Sequence, residues 1–203
     1  MQEHFEPLGS LQRRKRAAII DAAVESFLGH GFEATRMDRL ASRAGVSKRT
    51  LYNHFASKEL LFAAVVKHLY GELLVPGQTG PVEDLVPAEG LTVFARRLLA
   101  HLRSPRVLAL LKLVVAEHTR FPSLTSLFYQ HGKQPALRQL TAMLRQWQAS
   151  GQLRCEDPEL AAVQFLGLVK EGLFWPLLLG SQPPREDEAT IEAAVRAFLR
   201  LYG

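Results

Sequence analysis

Residues 45–55, Gly-Val-Ser-Lys-Arg-Thr-Leu-Tyr-Asn-His-Phe, constrain this chain more than any other stretch, because they read as a turn feeding a short, basic, aromatic helix. Ser47 is placed to cap that helix by accepting a hydrogen bond from a free amide of its first turn, and no Pro interrupts residues 48–55. Lys48, Arg49 and Thr50 then occupy the first turn, the part of a recognition helix that touches base edges and phosphates. Leu51 and Phe55, four apart, share a face and anchor the helix to a small core, leaving Tyr52, Asn53 and His54 around the other sides. Just upstream, Met37, Leu40, Ala41 and Ala44 share one face of a second short helix. Gly45-Val46 supplies the turn between them, which is helix-turn-helix spacing. Taken alone, residues 45–55 also fit a surface helix with an ordinary solvated charge pair; the upstream helix argues against that.

Charge supports the same assignment. Residues 1–70 carry 11 Lys or Arg against 7 Asp or Glu, a net of +4, whereas residues 71–203 carry 14 against 13, a net of +1. The basic excess therefore sits with the candidate recognition helix, as a footprint for phosphate requires. An apolar content of 47% with 22% charged residues is that of a folded chain, and 203 residues bury a sizeable core. Cys155 is the only cysteine, which excludes an intrachain disulfide and a Cys-rich zinc site and fits a reducing compartment. No uninterrupted apolar run of about 18 residues appears, and Arg13-Arg14-Lys15-Arg16 is not followed by a signal core. The expectation is a soluble, cytoplasmic protein with no membrane partner.

Along the chain, residues 1–10 read as a flexible arm. Ile20, Ala23, Val24, Phe27 and Leu28 then form a helical stripe that ends at Gly29-His30-Gly31. Ser57-Lys58-Glu59 caps a helix over 57–74 whose Leu60, Leu61, Ala64, Val65 and Leu69 continue the pattern. Pro76–Gly90 breaks it and places a domain boundary. Beyond it nothing alternates as a strand, and helical stretches are expected near 91–102, 105–118, 122–130, 135–149, 158–180 and 187–201. Asp157-Pro158 is a helix start, and Pro176 is expected to kink or end that helix near Trp175. The expected fold is all-α: a three-helix helix-turn-helix head at 11–58, the connecting helix 57–74, and a larger helical domain at 75–203, about nine helices.

These residues resemble the TetR family of bacterial transcriptional regulators. The matching words are Ile20-Asp21-Ala22-Ala23, Phe27 through Gly31-Phe32 with Ala34-Thr35, Leu40-Ala41, Ala44-Gly45-Val46-Ser47-Lys48, Thr50-Leu51-Tyr52, His54-Phe55 and Lys58-Glu59-Leu60-Leu61. Residues 113–180 are also similar to the C-terminal domain of an AefR-like branch, through Glu117, Arg120-Phe121-Pro122, Phe128-Tyr129, Gly151, Asp157-Pro158-Glu159-Leu160-Ala161 and Phe165-Leu166-Gly167. One departure stands out. Such sequences usually have Ser or Thr at the start of the second helix, where this chain has Arg36 after Thr35. The phosphate contact there falls either to Thr35 or to the charge of Arg36.

The resemblance implies a homodimer placing one recognition helix per subunit in successive major grooves of a palindromic double-stranded operator. Arg49 is the first candidate for base readout, because its fork matches two acceptors on guanine. Ser47, Lys48, Thr50, Tyr52, His54 and Lys58 are candidates for backbone grip and Asn53 for adenine, while Arg13–Arg16 reads either as an arm on DNA or as a solvated helix start. The resemblance also implies a pocket for a small effector, expected to be hydrophobic, with Val114, His118, Phe121, Phe128, Trp147, Phe165 and Val169 as lining candidates; Gln164 and Tyr129 are further polar candidates. Phe165, Leu173, Phe174, Ile191, Val195, Phe198 and Tyr202 are expected on the face that pairs two subunits as a four-helix bundle. Repression is the usual mode implied; an activator or a less specific architectural DNA-binding protein is the alternative. An enzyme is not expected: the seven His are scattered, with no metal-ligand cluster, no Gly-rich phosphate loop and no nucleophile elbow, so no catalytic, metal or cofactor residue is assigned.

Overall fold

The computed structural model describes residues 9–74 and 85–203, with no side chain described for 72–74. Among the described residues there are ten α-helices and no strand: α1 (Ser10–His30), α2 (Met37–Arg43), α3 (Lys48–His54), α4 (Lys58–Leu74), α5 (Pro87–Leu102), α6 (Pro105–Glu117), α7 (Pro122–Phe128), α8 (Gln134–Ala149), α9 (Pro158–Leu179) and α10 (Asp187–Tyr202). A five-residue π turn, Tyr129–Lys133, joins α7 to α8. The proposed flexible arm lies almost wholly outside the described residues, as does most of the expected linker.

Local chemistry sets most of the ends. Four of the six helices from α5 onward open with Pro in the first turn, at Pro87, Pro105, Pro122 and Pro158, where the missing amide costs no intrahelical bond; Pro135 stands in the first turn of α8, which continues directly from the π turn. Asp157 caps α9 by accepting from the amide of Leu160 at 3.0 Å, and Ser57 caps α4 through the amide of Leu60 at 3.2 Å. Arg13–Arg16 lie inside α1, near its start, and the Arg16 guanidinium stacks 5.0 Å from the centre of the Phe55 ring. Pro176 does not end α9. The helix runs three residues further, to a Schellman end in which Ser181 N–H donates to Pro176 C=O at 2.8 Å and Gly180 N–H to Leu177 C=O at 3.2 Å. A proline so near the end removes one ladder bond and leaves the last turn to the cap.

Two apolar cores result, and they do not part at the expected boundary. The first joins α1–α4 to α6 and α7 through Phe27, Phe32, Phe62, Leu110, Leu113 and Leu124; the second joins α5, α8, α9 and α10 through Leu99, Trp147, Phe165, Val169 and Phe198. The helix-turn-helix head thus shares its core with helices that belong to the body. Arg106 with Glu25 and Arg120 with Glu33 add ion pairs across the same contact.

Candidate nucleic-acid interface and ligand cavity

The head is built around one aromatic cluster. Phe32 stacks on Phe27 with ring centres 5.5 Å apart and meets Phe62 and Phe121 edge-on at 5.8 and 5.1 Å. Phe121, expected to line a pocket, is thus taken by the head. Against this cluster α2 and α3 are set by the turn at Ala44–Ser47, where Gly45 sits at φ 65°, a left-handed conformation that a side chain disfavours. Leu51 and Phe55 are buried as the sequence predicts, and Ser47 Oγ accepts from the Thr50 amide at 3.1 Å.

This leaves one face of α3 outward. Lys48, Arg49, Tyr52 and Asn53 are exposed, with Thr50 and His54 half-buried beside them. Lys48 Nζ pairs with Asp38 Oδ2 at 2.6 Å across the turn, an exposed pair that a phosphate can displace at small cost. Arg49 has neither a hydrogen bond nor an ion pair among the described residues. Burial, with help from the charges of Arg16 and Lys15, pulls the His54 imidazole below its usual value and so favours its neutral form. Arg36 is exposed at the start of α2 and makes no side-chain cap.

Two of the expected phosphate contacts are corrected. Thr35 is 3% exposed, and its hydroxyl donates to Gly31 C=O at 2.8 Å and lies 3.0 Å from Ser26 Oγ, so it closes the α1–α2 turn from inside. Lys58 Nζ donates to three carbonyls of that turn, Phe32 at 2.8 Å, Glu33 at 3.2 Å and Thr35 at 3.1 Å, and sits 4.4 Å from the Phe32 ring centre. Its donors are spent on the protein. Burial pushes this ammonium below the usual lysine range, and Glu59, Glu117 and Glu33 partly offset that.

In the body a cavity of about 260 Å³ is lined by Tyr70 of α4, Leu98, His101 and Leu102 of α5, Leu111 of α6, Phe128 of α7, Tyr129 and Lys133 of the π turn, Ala136 of α8, and Leu166, Lys170 and Phe174 of α9. Tyr70 meets His101 edge-on at 4.4 Å and Phe128 at 5.5 Å, and burial raises the Tyr70 phenol, so it stays protonated. Of the seven expected lining residues only Phe128 is there. Val114 packs in the first core; Trp147, Phe165 and Val169 are sealed in the second, Trp147 Nε1 donating to Leu85 C=O at 2.9 Å. His118 is exposed, with Nδ1 2.8 Å from Val115 C=O, and Gln164 accepts from the Tyr202 hydroxyl. Apolar periodicity marks buried positions but not which of them border a void, and it is silent on Lys133 and Lys170. The π turn that brings Tyr129 and Lys133 to the wall has no sequence motif of its own.

Five of the seven expected pairing residues are corrected as well. Phe165, Leu173, Ile191, Val195 and Phe198 are all buried inside this chain's own core, Phe165 and Phe198 edge to face at 5.3 Å; Phe174 faces the cavity and Tyr202 is half-buried against Phe198. The outward stripe of α9 is instead Leu160, Val163, Leu168, Trp175 and Leu179, each about half exposed or more. On α10 the exposed residues Ala193, Ala197 and Leu201 follow the four-residue spacing of one helix face. Between the two helices runs a groove lined by Leu168, Gly172, Ala193 and Ala197. α9 is also, among the described residues, the one helix long and apolar enough to cross a membrane by length and composition.

A helix-turn-helix head sharing its core with a cavity-bearing helical body defines a DNA-binding transcriptional regulator. Residues 19–65 match the family of bacterial regulatory proteins, tetR family, and residues 89–203 match the AefR-like transcriptional repressor, C-terminal domain. The chain belongs to the TetR family of transcriptional regulators. It is similar to a TetR-family regulator from Mesorhizobium loti, with 30% identity, 96% of this chain and 100% of that one covered and a TM-score of 0.82. It is also similar to the flavonoid-responsive regulator FrrA, with 37% identity, 94% and 97% covered and a TM-score of 0.78. With the transcriptional regulator RutR of Escherichia coli K12 it shares 37% identity over 82 residues, 40% of this chain and 38% of RutR, so the chain spans well under half the length of that relative.

Proposed function

We propose that the protein is a ligand-responsive repressor that binds a palindromic operator as a homodimer in the cytoplasm and is released by a small effector with an apolar body. The observation that carries this is α4. One end of that helix holds the α1–α2 turn through Lys58, and the same helix presents Tyr70 to the cavity. A ligand that displaces Tyr70 therefore moves the element on which the head is fixed, and it shifts the population of subunits toward a spacing of recognition helices that does not fit DNA. Such coupling is typically worth 1–3 kcal/mol, roughly 5–150-fold in operator affinity. The outward stripes of α9 and α10 are the surface on which two copies meet.

Arg49 reads a base edge in this scheme, Lys48 and Arg36 grip phosphates, and Ser47, Thr50, Tyr52, Asn53 and His54 complete the contact face. Selection of bound DNA from a random pool at fixed salt tests the proposal. The expected result is an inverted repeat bound roughly 10³-fold or more above bulk DNA. Enrichment of no sequence favours an architectural DNA-binding protein instead.

A further inference from the structure

The cavity wall is apolar over most of its extent, yet two lysines stand on it, Lys133 exposed and Lys170 half-buried, and none of its lining residues is a carboxylate. Neither ammonium has a carboxylate partner among the described residues. Lys133 Nζ donates to the Tyr129 hydroxyl at 2.9 Å and lies 4.6 Å from that ring's centre; Lys170 Nζ lies 5.1 Å from the centre of Phe174. Six arginines of the same body, Arg96, Arg103, Arg106, Arg120, Arg145 and Arg196, each hold an Asp or Glu. Glu171, next to Lys170 in sequence, accepts from Trp175 Nε1 at 3.0 Å instead. The two cations beside the cavity are thus left on aromatic rings, where a cation is held weakly and stays available to an anion.

We propose that the effector is a small carboxylate with a single aromatic ring or a short alkyl chain, its oxygens bound by Lys133 and Lys170 and its body lying against Tyr70, Leu111, Phe128 and Phe174. This rests on the reading of the cavity as the effector site. Size sets one limit: about 260 Å³ lies just under the roughly 300–1,000 Å³ of pockets for drug-sized ligands, which suits one ring or a short chain. Charge sets the other, because two ammoniums with no carboxylate beside them are neutralised only by an anion, and at neutral pH a carboxylate carries a full negative charge whereas a phenol or an amide does not. Tyr129 supplies a third donor, since its oxygen already accepts from Lys133 and its own proton is free to point at the ligand. The hydrogen bond and charge of Lys133, with a further contribution from Lys170, hold the Tyr129 hydroxyl below the usual tyrosine range, which reports the positive field at that wall.

Calorimetric titration of the full chain with phenylacetate and octanoate, beside phenylacetamide and octanamide, tests the assignment. At least one acid is expected to bind, with its amide at least about tenfold weaker, and Lys133→Met and Lys170→Met are each expected to lose about tenfold for the acid while leaving the amide within about twofold. Lys133→Arg, which keeps the charge, is expected to retain acid binding. Amides that bind as well as acids, lysine variants that bind the acid unchanged, or no acid binding at millimolar concentration would each overturn it. Operator retardation with the same four probes separates this from the repressor proposal. An amide that binds and releases operator leaves the effector site standing and removes the anion; lysine-dependent acid binding by a protein that holds no operator keeps the anion site and removes the repressor.

Discussion

Lys58 and Arg49 are both basic and both belong to the helix-turn-helix head, yet their surroundings give them opposite tasks. Arg49 is exposed and unengaged among the described residues, whereas Lys58 donates to three carbonyls 23 to 26 residues away in sequence. Arg49→Ala is therefore expected to relax base preference at one position of each half-site, losing roughly 1–3 kcal/mol of discrimination, read by operator-variant binding. Lys58→Met is expected to lower stability by roughly 1.5–3 kcal/mol, because charged hydrogen bonds are lost and their acceptors stay partly buried. It should also weaken every operator alike while leaving the slope of affinity against salt unchanged, since no phosphate contact is lost. A flatter slope would return Lys58 to the DNA. Ser47, Leu51 and Phe55 were legible in the sequence because a cap and an i,i+4 pair are local. Thr35 and Lys58 were not, because the carbonyls that occupy Lys58 become its neighbours only when α4 packs on the α1–α2 turn.

The helices themselves were legible almost throughout, from the period of their apolar positions, and α6, α8, α9 and α10 lie within a residue or two of the expected spans. The element that periodicity misses is the π turn between α7 and α8, which the stripe reads as two separate helices. It places Gly132 against α4, where a Cβ would lie 3.2 Å from Val66 Cγ1 and 3.3 Å from Tyr70 Cδ2. Both neighbours are buried side chains of the helix that carries Lys58, so they have little room to yield. Gly132→Ala is expected to push α4 away from the body, costing about 1–3 kcal/mol in stability. If α4 transmits the signal, the same substitution lowers operator affinity several-fold without any effector and reduces the further effect of one. Fluorescence anisotropy on labelled operator, beside thermal unfolding, measures both. Lower stability with unchanged operator affinity would show that α4 is not the transmitting element.

At the scale of the whole molecule the difficulty is that α9 carries apolar residues on every side. A helix with one apolar stripe declares its inner face, but on α9 the stripes of Phe165, Val169 and Leu173 and of Val163, Leu168 and Trp175 look equally buried in the sequence. Only the packing of α8 and α10 decides between them, and it puts the first set inside and the second outside. The two sets then carry different consequences. Phe165→Ala removes a ring from a closed core and is expected to lose roughly 3–5 kcal/mol, showing as a lower unfolding midpoint. Val163→Glu with Leu168→Glu touches positions 52% and 47% exposed and leaves that core alone. In a two-fold interface each substitution is introduced twice on one self-complementary patch, so four new carboxylates enter a single desolvated surface. The expected outcome is a chain of unchanged helicity that light scattering finds monomeric at micromolar concentration, and whose operator affinity collapses toward that of bulk DNA because a single recognition helix spans one half-site only. A double variant that stays dimeric and keeps its operator would place the pairing surface elsewhere on the molecule.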